Sequence, residues 1–191
     1  NETQLQESIN HVWDDQIIPS LIEYIKIPNI SPSFEPDWEN LGHMERALHL
    51  ALEWTKRNMP ENANVHVKRS EGQTPLLLID IQGEKKGNVL MYGHLDKQPE
   101  MVGWREGLAP WKPVLEGDKL YGRGGADDGY AAFASLTAIE AVQKHGGTHN
   151  RIVVIIEACE ESGSYDLPHY IDHLSDRIGQ VSLVICLDSG A

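Results

Sequence analysis

The chain has 191 residues, with 29 acidic side chains against 16 lysines and arginines and a net charge of −13. That length suits one domain with a sizeable core, and the acidic balance excludes the basic patch that nucleic acid or an anionic membrane surface would require. No apolar run approaches the roughly 20 residues of a membrane span.

A first helix is expected over about Glu2–Lys26, bent near Pro19, which has no N–H to give. A proline-rich loop from Pro28 to Pro36 follows, then a second helix from about Asn40 to Arg57. Strands are expected at about Asn64–Arg69 and Pro75–Gln82, and Gly83–Gly87 reads as a hairpin connection into a third strand that starts at Asn88. The stretch Lys97–Gly117 is long, irregular and carries Trp104 and Trp111; loops of that kind tend to be functional or unusually well packed. A glycine-rich segment, Leu120–Gly129, contains Asp127 and Asp128 and leads into an alanine-rich helix. The apolar stripe of that helix is Phe133, Leu136, Ile139 and Val142, it ends near Gly146-Gly147, and Asp127 stands where its N-cap belongs. A last helix at about Leu167–Arg177 precedes the final strand. Cys159 and Cys186 both lie in apolar runs and read as buried, reduced thiols, which suits a cytoplasmic setting. No secretory leader is legible, and the start at Asn1 leaves N-terminal processing open.

Three of the apolar runs share one property. Asn88–Gly93 ends at His94-Leu95-Asp96, Arg151–Cys159 at Glu160-Glu161, and Ser182–Leu187 at Asp188. Runs with so little polar alternation read as strands covered on both faces, so the fold class is α/β, a three-layer α/β/α sandwich with a mixed, largely parallel central sheet. Ligands collect at the carboxyl ends of such strands. Taken singly, a structural histidine, a helix cap and solvated glutamates would explain these residues. An imidazole and several carboxylates delivered together to one sheet edge indicate a hydrolytic metal centre. His94 and Asp96, two apart, leave their strand on one face, so one can ligate while the other orients. Of Glu160 and Glu161, one can ligate and one can act as general base. Nitrogen and carboxylate donors suit Zn2+, with Mn2+ or Co2+ as substitutes.

The segments GHLD at 93–96, LYGRGGADD at 120–128, EACEESGS at 157–164 and LDSGA at 187–191 resemble the catalytic domain of the dinuclear zinc peptidase family of carnosinase-type dipeptidases, aminoacylase and carboxypeptidase G. The resemblance covers nearly the whole chain, and the stretch GLAPWKPVLEGDKLYGRGG is most similar to the dipeptidase branch. It implies that Asp127 bridges two Zn2+ ions, that His94 and Asp188 complete one of them, and that Glu161 binds the other. Glu160 would be the general base for a water between the metals, and Asp96 would hold His94. The implied activity is hydrolysis of dipeptides or short peptides. The alternatives are an N-acyl-amino-acid amidohydrolase and a non-catalytic metal-binding module. The family often has lysine after the paired acids, where this chain has Gly129-Tyr130. The family also draws a late histidine and a lid or dimerisation domain from sequence beyond these residues. The expectation is therefore that residues 1–191 are the N-terminal part of the catalytic domain of a longer, homodimeric enzyme. His169 and His173, four apart, belong to none of these motifs and read as a solvated helix face.

Overall fold

The computed structural model describes residues 2–188, so the Ser189-Gly190-Ala191 part of the last motif lies outside the described residues. The chain opens with helix α1 (Glu2–Val12), one wide π turn over Trp13–Ile17, and α2 (Ile18–Ile25). The bend expected near Pro19 is this wider turn, in which Ile18 N–H donates to Trp13 O, just ahead of the residue that cannot donate. A four-residue helix α3 (Trp38–Leu41) precedes α4 (His43–Asn58). Strands β1 (Ala63–Lys68), β2 (Leu76–Ile81) and β3 (Lys85–His94) follow, then the short pair β4 (Val114–Glu116) and β5 (Lys119–Tyr121). Helix α5 (Ala131–Lys144), strand β6 (Asn150–Glu157), helices α6 (Leu167–His173) and α7 (Ser175–Ile178), and strand β7 (Leu183–Cys186) complete the described chain.

One five-stranded sheet runs β1-β2-β6-β3-β7. Pairing is antiparallel from β1 to β2 and from β2 to β6, and parallel from β6 to β3 and from β3 to β7. The mixed sheet of the sequence reading is present, with its parallel part confined to the three strands that end in candidate site residues. The expected hairpin between β2 and β3 is not formed, because β6 lies between them. Gly83 marks the crossing: a Cβ there would collide with the backbone of His149 and Asn150 at the start of β6. Lys85 N–H donates to His149 O at 3.1 Å on the far side.

Strand alternation splits the core into two layers. Leu77, Ile79 and Ile81 join Ile152, Val154 and Ile156 beneath Ile17, Leu21, Tyr24, Leu48, Trp54, Phe133 and Leu136 of α2, α4, α5 and the π turn. Leu76, Leu78, Val153 and Ile155 face Tyr170, Leu174 and Ile178 on the other side. The stripe expected on α5 is buried at Phe133, Leu136 and Ile139, whereas Val142, in the last turn, is 40% exposed. Cys159 is buried as expected, but Cys186 is exposed, since β7 is an edge strand and all four of its residues are exposed. Both thiols are free.

One fully buried lysine ties the helical layer to the sheet. Lys97 has no exposed surface. Its Nζ donates to Tyr24 O at 2.8 Å, in the last turn of α2, and to Ile27 O at 2.7 Å, just past the helix end. Burial pulls its pKa down to about 6, so the amine is neutral in the folded chain across a range in which an unfolded lysine, with its ordinary value of about 10.4, carries a proton. The unfolded state therefore binds the extra proton between pH 6 and 10, and stability rises with pH through that window. Urea unfolding of the metal-free chain at pH 6.5, 8 and 9.5 should show the stability of wild type over Lys97→Met growing as pH rises. A pH-independent difference would mean that the ammonium stays charged in place.

Candidate metal centre

Because β3, β6 and β7 run parallel, their carboxyl ends share one edge of the sheet, with His94 opposite Glu157 and Tyr92 opposite Cys186. His94 is fully buried there. Its Nε2 lies 3.3 Å from Asp127 Oδ1, 3.8 Å from Glu160 Oε2 and 3.8 Å from Asp188 Oδ2. Glu161 joins with a carboxylate oxygen within 4.8 Å of donor atoms of His94 and Glu160, and also accepts from Gln98 Nε2. The structure thus brings His94, Asp127, Glu160, Glu161 and Asp188 into one cluster.

Asp127 reaches this cluster from an irregular turn, Gly125–Gly129, with backbone angles of φ −119° and ψ 87°. It is not the N-cap of α5, which begins at Ala131 after Tyr130 and shows no side-chain cap. The glycines decide this. Gly124 adopts φ +86°, and a Cβ at Gly129 would overlap the Tyr24 ring, so helix cannot begin until the chain has cleared that ring.

Asp96 is also fully buried. Its carboxylate accepts from the backbone N–H of Glu160 at 3.0 Å and of Glu161 at 2.9 Å. The imidazole Nδ1 of His94 is 3.0 Å from the Asp96 backbone oxygen and 3.5 Å from its carboxylate. Asp96 therefore orders the two glutamates with its side chain and touches His94 chiefly through its main chain. Two further residues of the site carry no expectation from the sequence. Asp128, buried, accepts from His94 N–H at 3.1 Å through Oδ2. Gln98 fixes one oxygen of Glu161. The signal for Asp128 was Gly93, where a Cβ would come within 2.5 Å of both Asp128 Oδ2 and Ala131 Cβ; the glycine ahead of His94 makes room for that carboxylate. Gln98 had no such signal.

The electrostatics follow from crowding acids around one imidazole. Burial works against a charged His94, but the close carboxylates of Asp127 and Asp96 outweigh it and push its pKa up to about 11. The His94 contact in turn lowers the pKa of Asp127. Burial pushes Asp128 up to about 7 and raises both Glu160, with Asp188 and Asp96 adding to the effect, and Glu161, with Asp127 adding. The cluster holds a proton where a cation fits. His94, Asp127 and Asp188 offer donor atoms within 4.8 Å of one another, as do His94, Glu160 and Glu161. His94 Nε2 and Glu161 Oε1 are buried without a hydrogen-bond partner, the condition of a ligand atom awaiting its metal. An imidazole with carboxylates on this scale fits a divalent cation. His169 and His173 stand elsewhere: His169 Nε2 meets Ser70 Oγ at 3.0 Å, and exposed His173 Nδ1–H donates to His169 O.

Comparisons with known proteins point to a peptidase family. The model of peptidase family M20/M25/M40 matches residues 90–190. A human Beta-Ala-His dipeptidase is 28% identical over 172 residues, which cover 85% of this chain and 34% of that protein. The Cys-Gly metallodipeptidase DUG1 of Candida albicans is 38% identical over 89 residues, 45% of this chain and 18% of that protein. Among solved structures, an M20 family metallo-carboxypeptidase, Sso-CP2 from Sulfolobus solfataricus, superposes with a TM-score of 0.72 at 26% identity, covering 92% of this chain and 38% of that one. The chain spans about a third of the length of the human relative it matches.

Gly93→Ala tests the packing behind His94. The added methyl group has only Asp128 and Ala131 to displace, so overpacking should cost about 1–3 kcal/mol and weaken zinc binding with it. Thermal unfolding beside a zinc titration measures both; an unperturbed variant would show that Asp128 does not need the space.

Proposed function

This chain belongs to peptidase family M20/M25/M40, and from that premise we propose that it forms the cation-binding part of a metallopeptidase that hydrolyses dipeptides or other short peptides. The observation that carries the reading is the convergence of Asp127, Glu160 and Asp188 within 3.8 Å of the buried His94 Nε2. A scaffold would have no reason to bury an unpartnered imidazole nitrogen amid so much negative charge.

In this reading His94, Asp127 and Asp188 would hold one divalent cation and Asp127 with Glu161 would hold a second, and zinc would suit the donors, with Mn2+ or Co2+ as substitutes. When bound, the cations supply Lewis-acid polarisation of the scissile carbonyl and acidify the attacking water. Glu160, the carboxylate left over, takes the proton from that water and delivers it to the leaving amine. Its raised pKa suits a group that must both accept and return a proton. Asp96 supports the assignment by fixing the backbone of both glutamates, with Glu161 held by Gln98 and Glu160 facing His94.

The same water attack would cleave an N-acyl amino acid, which makes a deacylase the second reading; relatives named as dipeptidases favour the first. Residues 1–191 are proposed as the N-terminal part of a catalytic domain whose homodimeric whole supplies a lid domain and a further imidazole. Leu183 and Val184 of β7, 53% and 58% exposed, support a covered sheet edge in that whole. Among the described residues, His94 is the only histidine in the cluster. No helix among the described residues is long and apolar enough to cross a membrane, and the free Cys159 and Cys186 support a cytoplasmic setting.

In the whole enzyme, Glu160→Gln should leave metal content nearly intact and lower dipeptide turnover by about 10²-fold or more, the scale of lost general-base catalysis. Asp127→Ala should lose metal itself. Normal turnover in the Glu160 variant, or metal loss matching that of Asp127→Ala, would reverse the roles of the two glutamates, and faster turnover of N-acetyl amino acids than of dipeptides would favour the deacylase.

The 191-residue chain alone should bind one zinc tightly and show negligible peptidase activity. Calorimetric titration beside a dipeptide assay decides it, and a second tight site would require a ligand outside the cluster.

A further inference from the structure

Two residues after the paired acids remain unexplained by the proposed chemistry, Gly129 and Tyr130. A side chain at position 129 would run into the Tyr24 ring and the Gly124 carbonyl, so no long residue fits there. The next residue does make a distant connection: Tyr130 Oη–H donates to Leu187 O at 2.5 Å. Leu187 N–H is held from the opposite direction by Tyr92 O of β3 at 2.9 Å. Both polar backbone groups of Leu187 are therefore fixed, and Asp188 is the residue that follows. Besides these bonds, the Leu187 side chain packs against the core, while β7 pairs only with β3 among the described residues and exposes all four of its side chains. Tyr130 also closes the turn that carries Asp127, so one hydroxyl joins the segments that bring two carboxylates to His94.

We propose that Tyr130 is a positioning residue for the cation site of His94, Asp127 and Asp188: its hydrogen bond to Leu187 sets the separation between the Asp127 turn and the Asp188 strand end. This rests on reading those three residues as cation ligands. Removing the hydroxyl leaves the ring in place and the ligands intact but frees the strand end on one side. Loss of an outer partner of a ligand typically costs about 10–100-fold in metal affinity.

The test uses Co2+ as the probe, whose visible absorption reports its coordination, on the wild-type chain, Tyr130→Phe, Asp188→Ala and the double variant. Tyr130→Phe should weaken Co2+ binding about tenfold and shift the spectrum toward that of Asp188→Ala. The double variant should bind no more weakly than Asp188→Ala alone, because the hydroxyl reaches the site through the strand end that carries Asp188; a general loss of packing would instead add to the effect. Wild-type affinity in Tyr130→Phe, or additive losses in the double variant, would overturn the proposal while leaving the cation site standing. Wild-type binding and spectrum in Asp188→Ala would remove the site reading itself, and this proposal with it.

Discussion

Negative charge gathered around one buried imidazole is the constraint from which the rest of this structure follows. Asp96, Asp127, Asp128, Glu160, Glu161 and Asp188 all come to the sheet edge where His94 ends β3, and like charges so close raise one another's free energy. Three of them are offset by uncharged donors. The N–H groups of Glu160 and Glu161 go to Asp96, that of His94 goes to Asp128, and the Gln98 amide goes to Glu161. The imidazole itself is held in its charged form. Such a cluster stays assembled only on a rigid base, and the two apolar layers around Leu76–Ile81 and Ile152–Ile156 provide one.

The parts of this arrangement that were plain in the sequence are those with a local signature. Unbroken apolar runs marked β3, β6 and β7 as covered strands, and their terminal residues placed His94, Glu160, Glu161 and Asp188 on one edge before any pairing was known. The glycine-rich segment around Asp127 leads into a helix, as its sequence indicates, but its glycines answer to packing rather than to a helix cap. The glycines clear the Tyr24 ring and the Lys97 stem, and both of those come from distant segments.

What the sequence did not show depends on contacts between residues far apart along the chain. The Gly83–Gly87 turn has the composition of a hairpin; only the later insertion of β6 forces β2 and β3 apart. Asp128 and Gln98 look like ordinary polar neighbours of more conspicuous residues until His94 and Glu161 are placed against them. Lys97 opens the irregular stretch with no signature of burial, yet it lies beneath Gly124, whose added Cβ would come within 2.6 Å of Lys97 Cε. Cys186 was read as buried because its run is apolar, and apolar character cannot distinguish a central strand from an edge one.

That edge has a consequence of its own. Leu183, Val184 and Ile185 present apolar side chains along a strand whose outer backbone groups have no partner strand among the described residues. A flat, uncharged edge of this kind is a template on which another chain can add a strand. Covering β7 is thus a matter of solubility as much as of chemistry. While that flank is bare, the same strand that delivers Asp188 is the first place for two copies to stick together.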